Sequence, residues 1–355
     1  MIGPDRRRRH LAVVPPETDA PETDAPLPDA PETDVSLPEA SLQAVPETAG
    51  LVPDTPDQDA TDPTGPTQDA AILTSGVGIR YGRRWALQGC SLNIPRGSVV
   101  AVVGRNGAGK STLLQLLAGL LRPDAGSVTV LGQPTWPPRS GWLTQVGFVA
   151  QDKALYPGLR VVDLLRFGRR NNPGWDQEFA QRRVRERGVP LGARIGKLSG
   201  GLRTQVALAL ALAKRPEVLL LDEPLADLDP PARREVMSSL MVDLMERNTT
   251  VLFSSHSLTD LARVCDWLVL IDGGQVRLAD SIDALVGRHR LLIGPVESAT
   301  RIADRVAVVS AHRGDRQAIL LVDGHDPAVE LDPHWTVRQP AVEDLVFGYL
   351  QQVPS

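Results

Sequence analysis

A glycine-rich segment with a single lysine, G-R-N-G-A-G-K-S-T at residues 104–112, has the composition of a phosphate-binding loop. It fits the pattern of glycine, any four residues, glycine, lysine, then serine or threonine. Glycines let bare N–H groups approach an anion, and the N-terminus of a following helix adds a positive dipole end. Lys110 is one of four lysines among 38 basic residues, and its compact ammonium suits the space between β- and γ-phosphates. We therefore expect a polyphosphate to be held by Gly104, Arg105, Asn106, Gly107, Ala108, Gly109, Lys110, Ser111 and Thr112, with the Ser111 hydroxyl offered to Mg²⁺.

Regular structure on both sides must hold this loop in place. Val99–Val103 is a short apolar run rich in β-branched residues, which predicts a buried parallel strand. Ser111–Leu121 has helical spacing. Residues 71–98 predict an antiparallel β lead-in broken by turn glycines. The order of strand, loop and helix is the context that a phosphate loop requires.

Two carboxylates end a further predicted strand, P-E-V-L-L-L-D-E at residues 216–223. The carboxyl edge of a parallel sheet is where ligands bind. Asp222 could hold Mg²⁺ through its waters, and Glu223 could orient or activate an attacking water. A helix-capping acid would explain one carboxylate but hardly two in line with the strand.

Single polar residues end two other predicted strands. His256 follows Thr250–Ser254 and could reach a γ-phosphate, although it could also cap a helix over residues 257–264. Gln151 follows Val146–Ala150 and could reach a Mg²⁺-bound water, although a surface glutamine is the simpler interpretation of this residue alone.

A second anion-binding segment and one aromatic residue complete the candidates. Ser199, Gly200 and Gly201 precede a predicted helix over Thr204–Lys214, so their N–H groups could form a nest for an anion. Tyr81 closes the first predicted strand and could stack on an adenine ring, or pack on one face of the sheet. Each signal is weak by itself.

The order and spacing of these motifs over residues 71–284 resemble the nucleotide-binding domain of ABC transporters, in particular export-type ATPase subunits of drug and lipid exporters. The resemblance implies a P-loop α/β fold: a mixed sheet with an antiparallel β lead-in and a helical signature subdomain. It also assigns the motifs: Tyr81 as the adenine-stacking aromatic, 104–112 as Walker A, Gln151 as the Q-loop glutamine, 198–201 as the signature, 219–224 as Walker B with Glu223 as catalytic glutamate, and His256 as the switch histidine.

The resemblance implies a mechanism that needs two copies. ATP would be sandwiched between Walker A of one subunit and Ser199, Gly200 and Gly201 of a second ATP-binding subunit, identical or closely related. Hydrolysis would then loosen the pair. The implied roles are catalysis by Glu223, His256 and Gln151, and Mg²⁺ binding by Ser111, Gln151 and Asp222.

The same resemblance implies a partner and a location. A chain without membrane spans must drive a separately encoded multi-span permease, so the subunit is expected in the cytoplasm at the inner face of the membrane. Two positions depart from the family pattern. Leu202 replaces the usual glutamine after the signature, and Ala226 replaces the usual serine of the D-loop.

The 355 residues divide by composition into three predicted parts. Residues 1–70 form an acidic, proline-rich tail, since residues 11–70 hold fourteen acidic residues, twelve prolines and no lysine or arginine. Such a segment is expected to be disordered. Residues 71–284 form the ATP-binding domain. Residues 285–355 form a small α+β accessory domain, whose closing segment V-E-D-L-V-F-G-Y-L is similar to the last helix of export-type ATPase subunits.

Composition also excludes some classes. Cys90 and Cys265 are isolated in apolar segments, which predicts buried, reduced thiols rather than a disulfide framework. The longest apolar run, Val206–Ala213, is too short for a membrane span, and the N-terminus does not have the pattern of a secretory signal.

Alternatives remain open from sequence. A soluble ABC ATPase acting on ribosomes or DNA is the main one, but a single cassette with a short distance from Lys110 to Ser199 argues against it. The basic run in residues 157–196 is interleaved with acids, so a solvated helix face is expected rather than nucleic-acid binding. A non-hydrolysing regulatory subunit is disfavoured by the presence of Glu223 and His256.

Overall fold

An antiparallel sheet opens the part of the chain described by the computed structural model, which covers residues 70–245, 247–256, 261, 263–324 and 333–351. β1 (Ala70–Tyr81) pairs with β2 (Arg84–Pro95) on one side and with β4 (Ala125–Val130) on the other. β4 in turn pairs with the short β5 (Gln133–Pro134). The predicted β lead-in is therefore present, and the acidic tail predicted for residues 1–70 lies outside the described residues except for Ala70.

A second sheet carries the phosphate loop, and its six strands are β3 (Val99–Val103), β6 (Val146–Val149), β7 (Val218–Asp222), β8 (Thr250–Ser255), β9 (Trp267–Asp272) and β10 (Gln275–Ser281). Their order in the sheet is β10-β9-β3-β8-β7-β6. All of its strands run parallel except β10, which pairs antiparallel with β9. Alternate residues of β3 point into two different hydrophobic clusters, one on each face of the sheet.

Helices cover both faces of this sheet. They are α1 (Lys110–Leu117), α2 (Ser140–Leu143), α3 (Val161–Asn171), α4 (Gln177–Glu186), α5 (Gly200–Ala213) and α6 (Pro230–Met245). No helix among the described residues combines the length and apolarity needed to cross a lipid bilayer. Cys90 and Cys265 are both buried and free, as predicted.

Two predicted helix boundaries are wrong. α5 begins at Gly200 rather than Thr204, because the Ser199 hydroxyl accepts a hydrogen bond from the Leu202 N–H at 3.3 Å and caps the first turn. α1 ends at Leu117 rather than Leu121, since Gly119 has a φ of +68° and takes the chain out of the helix. The helix considered for residues 257–264 lies largely outside the described residues.

The C-terminal segment contains α7 (Ile282–Arg288), β11 (His289–Pro295), α8 (Val296–Ala303), β12 (Val308–Arg313), β13 (Gln317–Asp323), β14 (Thr336–Arg338) and α9 (Val342–Gln351). Its strands form a third sheet with the order β12-β13-β11-β14 and its own small core. α9 also packs on the large core of the six-stranded sheet through Leu345. The predicted α+β character is present, while the domain boundaries remain predictions; the one at 284/285 falls inside α7.

Candidate functional site

The predicted phosphate loop joins β3 to α1 and lies directly against β2. Gly107 and Gly109 have φ values of +77° and +109°, a region of backbone conformation that favours glycine. A Cβ atom on Gly109 would lie 2.7 Å from the Ala86 carbonyl oxygen, so a larger residue would displace the loop from β2. The close packing of loop and strand therefore requires glycine at this position.

Lys110 is almost fully buried at the start of α1. Its ammonium donates hydrogen bonds to the carbonyl oxygens of Gly104, at 2.9 Å, and Arg105, at 3.2 Å, and lies 3.8 Å from Glu223 Oε1. Burial lowers the pKa of Lys110, and the nearby carboxylates of Glu223 and Asp222 oppose that shift. An incoming anion would face an ammonium whose present partners are mostly carbonyl oxygens.

Asp222 and Glu223 occupy the end of β7, where they were predicted. The buried Asp222 carboxylate accepts a hydrogen bond from the Ser254 hydroxyl at 2.6 Å, and the Glu223 N–H donates to the same hydroxyl at 2.8 Å. Glu223 has a φ of +43°, uncommon for a residue with a side chain, and such strain is frequent at functional sites. Its Oε2 lies 2.8 Å from Nδ1 of His256.

One cavity of about 780 Å³ brings most of the predicted site residues together. Tyr81, Gln151, Glu223 and His256 line it together with six residues of the phosphate loop. Those loop residues are Asn106, Gly107, Gly109, Lys110, Ser111 and Thr112. Residues far apart in sequence thus face a single space large enough for a nucleotide.

Aromatic side chains line one wall of this cavity. Tyr81 is 56% exposed, so its ring is not packed on a sheet face, and its strand neighbour across the turn is Arg84. Trp85 lines the same cavity, with the Arg80 guanidinium over its ring at 4.9 Å. Sequence reasoning missed Trp85; its place directly after the turn that follows Tyr81 is the signal that could have found it.

Three oxygen-bearing side chains predicted to hold Mg²⁺ line a second cavity of about 720 Å³: Ser111, Gln151 and Asp222. Hydroxyl, amide and carboxylate oxygens are hard ligands that fit Mg²⁺, which usually keeps several waters and adds substrate phosphates to one or two carboxylates. The described residues hold no cluster of three or more His, Cys, Asp or Glu side chains suited to a metal ion. The donor set therefore fits an ion shared with a bound phosphate.

The signature residues lie apart from the phosphate loop. Ser199 is exposed at the N-cap of α5, with Gly200 and Gly201 in the first turn, and none of the three lines the nucleotide-sized cavity. Leu202 packs against the large hydrophobic core, and Ala226 lines both cavities. One copy of the chain does not bring its two predicted anion-binding segments together.

Part of the basic run in residues 157–196 is used inside the fold. Arg183 of α4 is buried and bonded to Asp243 and, at 3.1 Å, to Ser239, both on α6. Arg187 pairs with Glu235 at 2.8 Å. These arginines connect two helices, so they are not available as contacts for a polyanion.

A strand, glycine loop and helix, with an acid pair at the end of a parallel strand two positions away in the same sheet, define a P-loop nucleotide-binding protein. Comparison with protein families is consistent with this class. A family model described as ABC transporter matches residues 87–226. A model of an AAA domain, described with a putative AbiEii toxin of a type IV toxin–antitoxin system, matches residues 192–261.

Three relatives are similar over more than half of this chain. The aliphatic sulfonates import ATP-binding protein SsuB of Burkholderia ambifaria is 33% identical over 78% of this chain and 83% of its own length. The daunorubicin resistance ATP-binding protein DrrA3 of Streptomyces coeruleorubidus is 36% identical over 63% and 73%. The molybdenum import ATP-binding protein ModC of Paramagnetospirillum magneticum is 37% identical over 60% of this chain, which spans 61% of ModC.

The dimeric structure of MJ0796, a bacterial ABC transporter cassette, is similar to this chain with 26% sequence identity and a TM-score of 0.54. The alignment covers 59% of this chain and 98% of the MJ0796 chain. This chain belongs to the family of ABC transporter ATP-binding proteins. The predicted ABC-type P-loop fold is thereby confirmed, and the cassette is an ABC-type ATPase domain. The export-type assignment is not confirmed, because the relatives include import ATP-binding proteins as well as a daunorubicin resistance ATP-binding protein.

Proposed function

We propose that this chain is the ATP-hydrolysing subunit that drives a separately encoded multi-span permease, and that the transport it powers is export. The observation that carries the ATPase part is the cavity shared by the phosphate loop, Gln151, Glu223 and His256. A glutamine, a glutamate and a histidine from three different strand ends face this one space. Such an arrangement suits water attack on a terminal phosphate.

The chain's own residues divide the work. Loop N–H groups and Lys110 bind the β- and γ-phosphates, and Tyr81 stacks on the adenine. Glu223 orients and polarises the attacking water, while His256, hydrogen-bonded to Glu223, lies near the γ-phosphate. Ser111, Gln151 and Asp222 would hold Mg²⁺, which supplies positive charge to the transferred phosphoryl group.

The position of the signature supports a second copy as partner. Ser199, Gly200 and Gly201 present the N-terminus of α5, a natural anion site, away from their own phosphate loop. A second ATP-binding subunit would place that helix N-terminus over the bound nucleotide. The similar cassette MJ0796 is described as dimeric. ATP would thus hold two subunits together, and hydrolysis would release them.

Export is supported by similarity to DrrA3, whose name includes daunorubicin resistance. It is also supported by α9 (Val342–Gln351), because its sequence is similar to a helix of export-type ATPase subunits. Driving a permease would place the subunit in the cytoplasm at the inner face of the membrane. Arg183 and Arg187 are paired with acidic side chains of α6, so they give no support to a nucleic-acid partner.

Affinity purification of the tagged full chain from detergent-solubilised native membranes tests this function. We expect a multi-span protein to copurify and the complex to hydrolyse ATP. Recovery with ribosomes, and without any membrane protein, would overturn the transport role in favour of a soluble ABC ATPase. Copurification of an extracellular solute-binding protein with the permease would overturn export in favour of import.

A further inference from the structure

A buried lysine lies two residues after Gln151 and has no place in the mechanism above. The Lys153 side chain is 4% exposed. Its ammonium donates hydrogen bonds to Asp227 Oδ2 at 2.7 Å and to the backbone carbonyl oxygen of Gln151 at 3.3 Å. The two paired side chains are 74 residues apart in sequence. One ammonium thus links the segment after β6 to the segment after β7.

Burying the Lys153 ammonium costs free energy, which indicates a role beyond packing. A buried ammonium is unfavourable unless it is paired and hydrogen-bonded. Lys153 also has a φ of +47°, an uncommon conformation for a residue with a side chain.

The link lies between parts of the site that must act together. Gln151 lines both the nucleotide-sized cavity and the second cavity, whereas Lys153 lines only the second. Asp227 follows Ala226, which lines both cavities, and a Cβ atom on Gly200 would lie 3.4 Å from Asp227 Cβ. Lys153 and Asp227 therefore connect the Gln151 segment to the turn after Glu223 and to the start of α5.

We propose that Lys153 is a positioning residue for ATP hydrolysis: by bonding Asp227 and the Gln151 carbonyl, it holds the Gln151 carboxamide on the cavity wall that also carries Ser111 and Asp222. The inference rests on the ATP hydrolysis proposed above. Lys153 does not touch the nucleotide-sized cavity, so it acts on turnover through Gln151 and not on nucleotide affinity. Loss of the ammonium frees the Gln151 segment and lowers the fraction of molecules in which the metal-facing oxygens are in place.

Lys153→Met in the full chain separates the two effects, because methionine retains most of the aliphatic length without the charge. We expect the Kd of a fluorescent ATP analogue to stay within about twofold of the parent, while kcat falls about tenfold, since small displacements of positioned groups are costly in rate. The Mg²⁺ concentration for half-maximal hydrolysis should rise. Lys153→Arg, which can still donate to both oxygens, should recover kcat to within about threefold.

Lys214→Met is the matched control. Lys214 is also largely buried and also donates to a backbone carbonyl, that of Val146 at 2.7 Å, but at the opposite end of β6 from both cavities. Its loss should lower the unfolding temperature without changing kcat or the Mg²⁺ requirement. A general effect of removing a buried lysine would instead lower kcat in both variants, and that result would overturn the proposal.

Asp227→Asn keeps the test decisive if Lys153→Met does not fold, because the Asp227 side chain is largely exposed. It should lower kcat in the same direction with nucleotide Kd unchanged, and adding it to Lys153→Met should cause no further loss. Unchanged kcat in both single variants, or a Kd that rises in step with the fall in kcat, would overturn the positioning role. If the parent chain itself does not hydrolyse ATP, with any copurified permease present, the proposed function fails rather than this inference alone.

Discussion

Replacing Glu223 by glutamine tests the chemistry of the site with the smallest change in shape. The side chain is 10% exposed, and its two oxygens face His256 at 2.8 Å and Lys110 at 3.8 Å. Glutamine has nearly the same volume and can still bond to the imidazole, so the fold around β7 should be preserved. What is lost is the negative charge that orients and polarises the attacking water.

The expected loss of rate follows from that role. Removing a positioned general base typically costs about 10²- to 10⁴-fold, which corresponds to about 3 to 5 kcal/mol of barrier at about 1.36 kcal/mol per tenfold. Nucleotide binding should not weaken, because the Lys110 ammonium no longer shares its attraction for the phosphates with a neighbouring carboxylate. Asp222 remains nearby, which limits any gain in affinity.

Steady-state phosphate release and titration with a fluorescent ATP analogue measure the two quantities separately. Glu297→Gln is the matched control, since Glu297 is exposed in α8 and lines neither cavity. It should leave both rate and affinity unchanged. A Glu223→Gln variant that retained more than about a tenth of the parent rate would refute the assignment of Glu223 as the group that activates water.

Two further changes test the surrounding structure. Gly109→Ala should weaken nucleotide binding at least about tenfold in the same titration. The added Cβ would lie 2.7 Å from the Ala86 carbonyl oxygen, so the phosphate loop would have to move. Unaltered binding would show that the loop is not packed as described. Asp243→Ala should lower the free energy of unfolding by about 3 kcal/mol in urea denaturation, because the buried Arg183 guanidinium loses the carboxylate that pairs with it. A loss below about 1 kcal/mol would contradict that pairing.

Local patterns in the sequence predicted the elements around the phosphate loop well. The loop at 104–112, the buried β3 and the acids Asp222 and Glu223 are each encoded within about ten residues, so spacing and apolar runs are enough to find them. The start of α5 lies four residues before the predicted one, because Ser199, which fits an anion nest, also caps the helix.

Contacts between distant segments could not be predicted in this way. Ser254, which bonds both Asp222 and the Glu223 N–H, is about thirty residues away in sequence and looks like an ordinary strand serine. The bond from Lys153 to Asp227 depends on β6 and β7 lying side by side in parallel. Spacing alone does not specify such pairings, because they arise from the order of strands in the sheet.

The central claim is that two copies of the chain close on ATP, each contributing one of the two anion-binding segments. Light scattering during size-exclusion chromatography of Glu223→Gln, with and without Mg²⁺ and ATP, tests it most directly. We predict a single copy of 38.3 kDa without nucleotide and about twice that mass with it, and a return to one copy when Ser199→Arg is added. A variant that remained at 38.3 kDa in saturating Mg²⁺ and ATP, with any copurified permease included, would contradict the claim.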